Sequence, residues 1–522
     1  MRSRCSISGK SFAHANKRGN NLTNPIVETT HGPVAGTKEH ETCVFRGIPY
    51  ASPPINELRF AAPKDPTSWS STLDCKNYGP YAPQLKGGVQ FKYWALEGVQ
   101  DEDCLSINIW TPATDSKPRP VMVWIHGGAF VVGAAKRPVT DGLALSEAGD
   151  VVVVTLNYRL GALGWLYLDD AEPGLSGSGN NGLLDQIKAL EWVQDNIANF
   201  GGDPNNVTLF GESAGAISVS VLLTVERAKG LFHKAIAQSG AANVVRKSHD
   251  AAEATQQFMS KAEVDSVQEL RALPQERIVQ IQNWLSTQVR DADSLFCPVM
   301  DNIILEETPM RKLVEGAGDH VPLITGFNLD EYRYWLMVNP RLKSLSAEHL
   351  SKAIQRAHDE INPTELIQTY RDSRPDLNEN QIGLTLIGDM AFRIPTIRIA
   401  EARAERGSPT YVYLFTRPSQ MLDGQLGAAH AMEIPFVFDT IDQPNVPDLI
   451  GNEPDRGDLV GVMQSAWLSF AHTGNPSNDL EWPQYSADQR ETMVFNHTSG
   501  VALDPYGVER VMWQSAKFEL QP

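Results

Sequence analysis

The strongest constraint on the fold is a short stretch in which a serine lies between a strand pattern and a helix pattern. Residues 207–210 are apolar or β-branched, Gly-Glu-Ser-Ala-Gly follows at 211–215, and the residues after it can form a helix. A serine at such a strand-to-helix turn exposes its hydroxyl, and the flanking glycines are needed because a Cβ would clash in so tight a turn. The free N–H groups at the helix start meet the same hydroxyl. The pattern therefore predicts Ser213 as a catalytic nucleophile.

Length and charge exclude several classes of partner. The chain has 522 residues, a length that suits one large α/β domain. Its net charge is −18, whereas a nucleic-acid-binding protein has a basic surface. The longest apolar runs, such as 151–154, are as long as a strand and far shorter than the ~20 residues that span a bilayer. We expect a small-molecule substrate, no nucleic acid and no membrane span. The oligomeric state stays open.

The first 24 residues differ in composition from the rest of the chain. They contain five basic residues and no acidic one. Because they lack an apolar core, they do not form a secretory signal, and we expect a disordered tail on a cytoplasmic protein, with an organelle transit peptide as the alternative. Five cysteines in so long a chain do not indicate a disulfide scaffold. Residues 25–522 are expected to form a single domain.

Strand and helix patterns alternate through this domain. Buried-strand patterns occur at 121–125, 151–156, 234–238, 321–326 and 410–415. Helical spacing of apolar residues separates several of them, and this order is typical of βαβ units and a parallel sheet. We therefore predict an α/β fold with a large, mostly parallel central sheet flanked by helices. Polar helical patterns at about 250–313 and 342–406 are expected to be insertions over the active site.

A glycine pair after the first of these strands fits an oxyanion hole. His-Gly-Gly-Ala-Phe occupies 126–130. Attack on an ester carbonyl creates an oxyanion, which needs preorganised N–H donors, and glycine obstructs their approach least. We predict that the N–H groups of Gly128 and Ala129 serve this role. The N–H of Ala214, which follows the serine, adds a third donor.

A nucleophilic serine needs a base, and the base needs an acid that orients it. In the strand-turn-helix class of serine hydrolases, the chain order is serine, acid, histidine. Glu331 follows the strand pattern at 321–326 and fits the acid, and His430 lies on a later loop and fits the base. Asp330 is the nearest rival for the acid. His126 is a weaker candidate for the base and fits packing beneath the oxyanion loop better.

Together these motifs resemble those of the type-B carboxylesterases, which include animal carboxylesterases, cholinesterases and bacterial p-nitrobenzyl esterases. The resemblance implies an α/β-hydrolase fold, a covalent acyl-enzyme, no cofactor and no metal, and it selects the same triad of Ser213, Glu331 and His430. It also implies that Glu212 tunes the electrostatics of the site and that Ser239 is a partner near the catalytic acid. The stretches that carry the resemblance are 45–54, 102–108, 126–130, 200–215 and 427–435.

The chain departs from the family pattern at several positions. The family cysteine that pairs with the one at Cys104 is missing, because 79–84 reads Gly-Pro-Tyr-Ala-Pro-Gln, and Cys75 as a substitute partner stays open. Tyr332 replaces the glycine that usually follows the acid. Trp94 has a spacing that resembles the cation-binding tryptophan of cholinesterases, although a packing role fits it better.

The expected function is hydrolysis of a small to medium neutral carboxylic ester through an acyl-enzyme. The same triad would also serve a lactonase, an amidase or a transacylase, and the residues do not separate these reactions. A non-catalytic binding protein on this scaffold is the remote alternative, because such proteins lose the nucleophile or the base, and here all three residues are present.

Overall fold

The computed structural model describes residues 24–87, 96–169, 171–288, 295–452 and 456–516. The tail predicted at 1–24 lies outside these residues, apart from Asn24. The described strands, numbered along the chain, are β1 Ile26–Thr29, β2 Gly32–Ala35, β3 Thr37–Glu39, β4 Thr42–Pro49, β5 Leu73–Asp74, β6 Ser106–Thr111, β7 Arg119–Ile125, β8 Val152–Leu156, β9 Gly202–Glu212, β10 Lys234–Gln238, β11 Arg246–Lys247, β12 Val299–Met300, β13 Leu323–Asn328, β14 Thr410–Phe415, β15 Glu491–Phe495 and β16 Gly500–Leu503.

One large sheet dominates the described part of the chain. Its eleven strands lie in the order β16-β15-β14-β13-β10-β9-β7-β8-β6-β4-β3. The seven strands from β15 to β8 are parallel, and antiparallel strands extend the sheet at both edges. Each of the five strand patterns named in the sequence analysis corresponds to a strand of this parallel block, which confirms that prediction.

The side chains of the central strands alternate between two cores, one on each face of the sheet. Val121 and Val123 of β7 pack into one apolar cluster, and Met122 and Trp124 pack into the other. Because helices cover both faces, both sets of side chains are buried, which explains why the strand reads as a continuous apolar run. The parallel block fixes one carboxyl edge, at which β7, β9, β13 and β14 all end.

Helices cover both faces of the sheet. The helical region predicted at about 342–406 contains four of them, and the last, α12, packs against β13 and β14 as a crossover helix does. None of the described helices combines the length and apolar character that a bilayer span requires. The described helices are α1 Leu143–Gly149, α2 Gly161–Trp165, α3 Asn181–Asn196, α4 Ala214–Leu222, α5 Ser248–Ala262, α6 Val267–Ala272, α7 Gln275–Gln288, α8 Pro309–Val314, α9 Ala347–Ala357, α10 Pro363–Ser373, α11 Glu379–Gly388, α12 Ile394–Glu405, α13 Ile434–Phe438, α14 Val446–Ile450, α15 Arg456–Thr473 and α16 Gly507–Met512.

The four described cysteines are buried free thiols. Cys75 and Cys104, whose pairing the sequence left open, are not joined to each other. Burial raises the pKa of the Cys75 thiol to about 12 and raises that of Cys104 further. These cysteines therefore behave as small core residues and not as reactive thiolates.

Candidate active site

Ser213 lies on a strained turn between β9 and α4. Its backbone has φ 56° and ψ −124°, a conformation that is rare outside glycine. The turn is tight because a Cβ at Gly215 would lie 2.0 Å from the Ile125 carbonyl oxygen, and one at Gly211 would lie 2.7 Å from it. The N–H of Ser213 donates to the Gln238 carbonyl at 2.9 Å, which ties the turn to β10. The neighbouring strands thus hold the strained serine in place.

Glu331 and His430 meet at the carboxyl edge of the sheet. Glu331 follows β13 at the start of a 3₁₀ helix, Glu331–Met337, and His430 lies on the loop after β14. Nδ1 of His430 donates to Oε2 of Glu331 at 2.6 Å, and the other carboxylate oxygen accepts from the Asn328 N–H at 2.8 Å. Both side chains are buried. Because a carboxylate only accepts, this contact places a proton on Nδ1 and leaves Nε2 as the nitrogen that exchanges a proton with groups in the cavity.

Asp330, the rival acid, has other partners. Its carboxylate lies 2.8 Å from Nη2 of Arg333 and accepts from the Ala428 N–H at 2.9 Å. Its own N–H donates to the Ala428 carbonyl at 2.9 Å. Asp330 therefore fastens the histidine loop to the acid loop, and it is Glu331 that contacts the imidazole.

Ser213 and His430 line the same cavity, which has a volume of about 130 Å³ and is also bordered by Glu212. Nε2 of His430 lies 3.0 Å from Oε1 of Glu212. Within the residues that the structure describes, no hydrogen bond joins the Ser213 hydroxyl to the imidazole. Nε2 thus faces the carboxylate that precedes the serine, while the serine borders the same space.

The electrostatics of the site favour a charged imidazole. Burial opposes the imidazolium of His430, but the carboxylates of Glu212 and Glu331 outweigh it and raise the pKa of His430 well above its usual value. A base with a raised pKa accepts a proton from serine more readily, provided that it is neutral when the reaction begins.

Glu433 is a third carboxylate, and it lies within the stretch 427–435 that carries the family resemblance. It is fully buried and accepts from Gln238 Nε2 at 3.0 Å and from Asn328 Nδ2 at 2.7 Å. Burial and the nearby Glu212 charge raise its pKa to about 7. The available signal was an acidic residue in an otherwise apolar stretch, three positions after His430.

The predicted oxyanion donors lie at or beside the cavity. Gly128 and Ala129 line it, and Ala214 directly follows Ser213. Gly128 has φ +123°, and a Cβ there would lie 2.0 Å from the Val132 carbonyl oxygen, so the loop requires glycine. In the described parts of the chain, none of these three N–H groups donates to a protein acceptor. They are thus available to a substrate oxygen.

His126, the alternative base, supports the oxyanion loop. Its Nδ1 donates to the Gly127 carbonyl at 2.9 Å, and its ring stacks on Tyr158 at 4.6 Å. Burial lowers the pKa of His126 to about 3, so the ring is neutral at physiological pH. The packing interpretation of His126 made from the sequence therefore fits its surroundings.

Ser239 and Trp94 are the remaining candidates of the sequence analysis. Ser239 is fully buried at the end of β10, where its N–H donates to the Gly326 carbonyl at 2.9 Å. Among the described residues, its hydroxyl makes no hydrogen bond with Glu331 or His430. Trp94 lies outside the described residues. His249, Asp250 and Glu253 have spacing that would fit a cation, but they do not border the cavity.

Aromatic rings enclose the imidazole. Ring centroids of Phe392, Trp335 and Tyr334 lie 4.7, 5.2 and 6.0 Å from that of His430. Phe392 belongs to a π-helix, Asp389–Arg393, between α11 and α12, and no local signal in the sequence connects it to His430. Such walls exclude water, which strengthens every charge interaction within the site.

Comparisons with known proteins show what this chain is similar to. A family model described as the carboxylesterase family matches residues 23–510. The chain is 37% identical to the para-nitrobenzyl esterase of Bacillus subtilis, over 94% of this chain and 98% of that protein. It is 33% identical to the phenmedipham hydrolase of Pseudarthrobacter oxydans, over 91% of this chain and 95% of that protein.

Solved structures of esterases are also similar to this chain. The crystal structure of a Geobacillus stearothermophilus carboxylesterase at pH 6.2 superposes with a TM-score of 0.86 at 37% identity, over 94% of this chain and 100% of that one. A PNB esterase structure gives a TM-score of 0.85 at 36% identity, over 94% of this chain and 99% of that one. These likenesses confirm the predicted α/β-hydrolase fold.

Proposed function

The chain belongs to the carboxylesterase family and is a carboxylic ester hydrolase, and on this basis we propose that Ser213, His430 and Glu331 are its catalytic triad. The observation that carries the proposal is the 2.6 Å hydrogen bond from His430 to Glu331, made by an imidazole that lines the same cavity as a strained serine. This arrangement has the nucleophile, base and orienting acid that acyl transfer needs.

The reaction begins with a proton transfer. Nε2 of His430 takes the proton of the Ser213 hydroxyl, and the serine oxygen attacks the ester carbonyl carbon. For this step Nε2 must turn from Glu212 toward the hydroxyl. We therefore propose that Nε2 contacts Glu212 in one part of the cycle and the Ser213 hydroxyl in another. Glu331 keeps the proton on Nδ1 and stabilises the imidazolium that forms.

The negative charge then passes to the carbonyl oxygen. The N–H groups of Gly128, Ala129 and Ala214 stabilise this oxyanion, and one such donor contributes about 3 kcal/mol in comparable sites. As the tetrahedral intermediate collapses, the carbon–oxygen bond to the alcohol breaks and His430 protonates the departing alkoxide. The acyl group stays on Ser213.

Water completes the cycle. His430 takes a proton from a water molecule, which attacks the acyl carbon, and the second collapse releases the carboxylic acid and returns the proton to Ser213. Glu212 opposes loss of the imidazolium through its charge, and the Ser239 N–H ties the end of β10 to β13, the strand that precedes the acid. A cavity of about 130 Å³ favours small esters, since typical ligand pockets span ~300–1,000 Å³.

We also propose that residues 25–522 form one domain, with helical segments near 250–313 and 342–406 attached to its sheet. The support is the sheet itself, because β3 near one end of the chain and β16 near the other belong to the same eleven-stranded sheet. The elements in between contribute all of the proposed catalytic loops.

The test uses p-nitrophenyl esters of increasing acyl length and a serine-directed phosphonate. Ser213→Ala should lower kcat by about 10⁴-fold or more while the melting temperature is kept. The exposed Ser465→Ala serves as the matched control and should retain activity. Mass spectrometry should locate the phosphonate on Ser213. Retained hydrolysis in Ser213→Ala, or labelling elsewhere, would exclude the assignment.

A further inference from the structure

Asn328 contacts both of the loops that contain the proposed acid and base. It is the last residue of β13, and its backbone N–H donates to Oε1 of Glu331 at 2.8 Å. Its side-chain Nδ2 donates at 2.8 Å to the carbonyl of Ala429, the residue that precedes His430. One residue therefore binds the acid through its backbone and the loop of the base through its side chain.

The same amide group also connects to the turn that contains the serine. Nδ2 of Asn328 donates to Oε2 of Glu433 at 2.7 Å, and the other oxygen of that carboxylate accepts from Gln238 Nε2 at 3.0 Å. The carbonyl of Gln238 in turn accepts from the Ser213 N–H at 2.9 Å. Glu433 thus links Asn328 to the strand that holds the serine turn.

The partners of Asn328 determine the orientation of its amide. A backbone carbonyl and a carboxylate both accept hydrogen bonds, so the NH₂ group and not the amide oxygen must face them. Both hydrogens of the NH₂ group are used, whereas Oδ1 makes no hydrogen bond within the described part of the chain. The side chain is 2% exposed and does not border the cavity. It therefore acts as a double donor between segments of the protein.

We propose that Asn328 is a positioning residue that holds the His430 loop in place, so that Nδ1 stays within hydrogen-bonding distance of Glu331. This inference rests on the proposed function, because that function gives the two loops their roles. A buried acceptor that loses its donor is costly, since no water replaces the donor, and the His430 loop should move to relieve that cost. A displacement of about 1 Å in a reacting group can lower the rate about 100-fold.

Asn180 offers a matched control elsewhere in the fold. It is fully buried, and its Nδ2 likewise donates to a carbonyl, that of Val299, at 2.7 Å and to a carboxylate, that of Asp301, at 2.8 Å. Its Oδ1 also accepts from the Val299 N–H at 2.9 Å. Truncation of Asn180 thus removes at least as much hydrogen bonding as truncation of Asn328, and Asn180 does not border the cavity.

The experiment compares Asn328→Ala with Asn180→Ala in urea unfolding and in hydrolysis of p-nitrophenyl acetate. Both changes should lower the urea midpoint, because both leave buried acceptors without donors. Only Asn328→Ala should lower kcat, by about 10- to 100-fold, while KM stays within about threefold of the parent. The same variant should shift or broaden the downfield proton resonance of His430 Nδ1–H, which reports the 2.6 Å hydrogen bond to Glu331. In Asn180→Ala this resonance should match that of the parent.

A second pair of variants keeps the shape of the side chain and answers the same question if Asn328→Ala does not fold. Asn328→Asp replaces the amide by a carboxyl group, which donates one hydrogen bond as the acid and none as the carboxylate. The kcat of this variant relative to the parent should therefore fall as the pH rises. The corresponding ratio for Asn180→Asp should be independent of pH.

Three outcomes would overturn the positioning role. They are a kcat of Asn328→Ala equal to that of the parent, an equal loss of kcat in Asn180→Ala, and a ratio for Asn328→Asp that does not depend on pH. A parent enzyme that the serine-directed phosphonate does not label on Ser213 would instead count against the proposed function.

Discussion

The imidazole of His430 donates from Nδ1 to the Glu331 carboxylate at 2.6 Å, and neither side chain is more than 5% exposed. In so buried a place a charged hydrogen bond is both short and expensive to lose. The bond also determines the tautomer of the ring, and the tautomer determines which nitrogen faces the cavity. In the proposed triad, the acid thus acts on the serine only through the histidine.

Replacement of Glu331 by glutamine should lower kcat by about 10⁴-fold, because an amide can stabilise the wrong tautomer and cannot compensate an imidazolium. Asp330→Asn is the matched control. Asp330 pairs with Arg333, so its loss should lower the free energy of unfolding by about 3 kcal/mol while kcat stays within tenfold of the parent. Steady-state kinetics and urea unfolding measure the two effects. The reverse pattern would make Asp330 the catalytic acid.

Glu212→Gln should shift the pH profile. Glu212 and Glu331 together raise the pKa of His430, and the ring must be neutral to accept the serine proton. Activity in the parent should therefore rise with pH through a range above the ordinary histidine pKa. Removal of the Glu212 charge should move this acid limb of kcat/KM to lower pH. Glu401→Gln, at an ion-paired glutamate outside the cavity, should leave the limb in place. An unshifted limb in Glu212→Gln would contradict the assignment.

The sequence predicts the parts of the candidate site that depend on local pattern. The strand-to-helix turn at Ser213 was predictable because a buried strand, two required glycines and a helix are contiguous in the chain. Glu331 and His430 followed from the order of strands, since side chains after parallel strands meet at one edge. The two-core sheet was predictable for a related reason, because strands covered on both faces have uninterrupted apolar runs.

Features that depend on packing between distant segments could not be predicted from the sequence. Phe392 contacts His430 from a π-helix, and Arg137 borders the cavity from the loop that follows β7. The 3.0 Å approach of Glu212 to Nε2 depends on side-chain torsions that no spacing encodes. The predicted helical region at 342–406 likewise could not show that α12 packs on the sheet, since a crossover helix and an inserted helix have similar patterns.

Glu433 should make stability depend on pH. Its pKa is raised from 4.5 to about 7 in the folded protein, so the folded state retains a proton that the unfolded state has lost. The free energy of unfolding should therefore fall between pH 5 and pH 8, by about 3 kcal/mol for this group. Glutamine at this position does not ionise. The free energy of unfolding of Glu433→Gln relative to the parent should therefore rise by about 3 kcal/mol between pH 5 and pH 8. Urea unfolding at both pH values measures the difference, and parallel pH dependences would contradict the prediction.

Replacement of glycine by alanine should destabilise the protein in the tight turn and stabilise it where the added methyl group has open space. Gly215→Ala would place a Cβ 2.0 Å from the Ile125 carbonyl oxygen, so we expect loss of activity together with a lower melting temperature. Gly457→Ala and Gly461→Ala are the controls, because both positions lie in α15 with open space around the added methyl. Each should raise the free energy of unfolding by about 0.5–1 kcal/mol through helix propensity. An active, stable Gly215→Ala would mean that the turn is looser than described.

The C-terminal helix α16 should stabilise the wall of the active site through Glu509. This fully buried carboxylate accepts from Arg374 at 2.6 and 2.7 Å and lies 3.2 Å from Nη1 of Arg393, the last residue of the π-helix that presents Phe392 to the imidazole. Glu509→Gln leaves two buried guanidinium groups without their shared anion and should cost about 3–5 kcal/mol. Asp504→Asn breaks a partly exposed ion pair in the same segment and should cost under ~1 kcal/mol. Because the π-helix contains Phe392, whose ring packs against His430, Glu509→Gln should also lower kcat. Asp504→Asn should leave kcat unchanged. Equal effects of the two variants on unfolding would show that the buried cluster does not hold this wall.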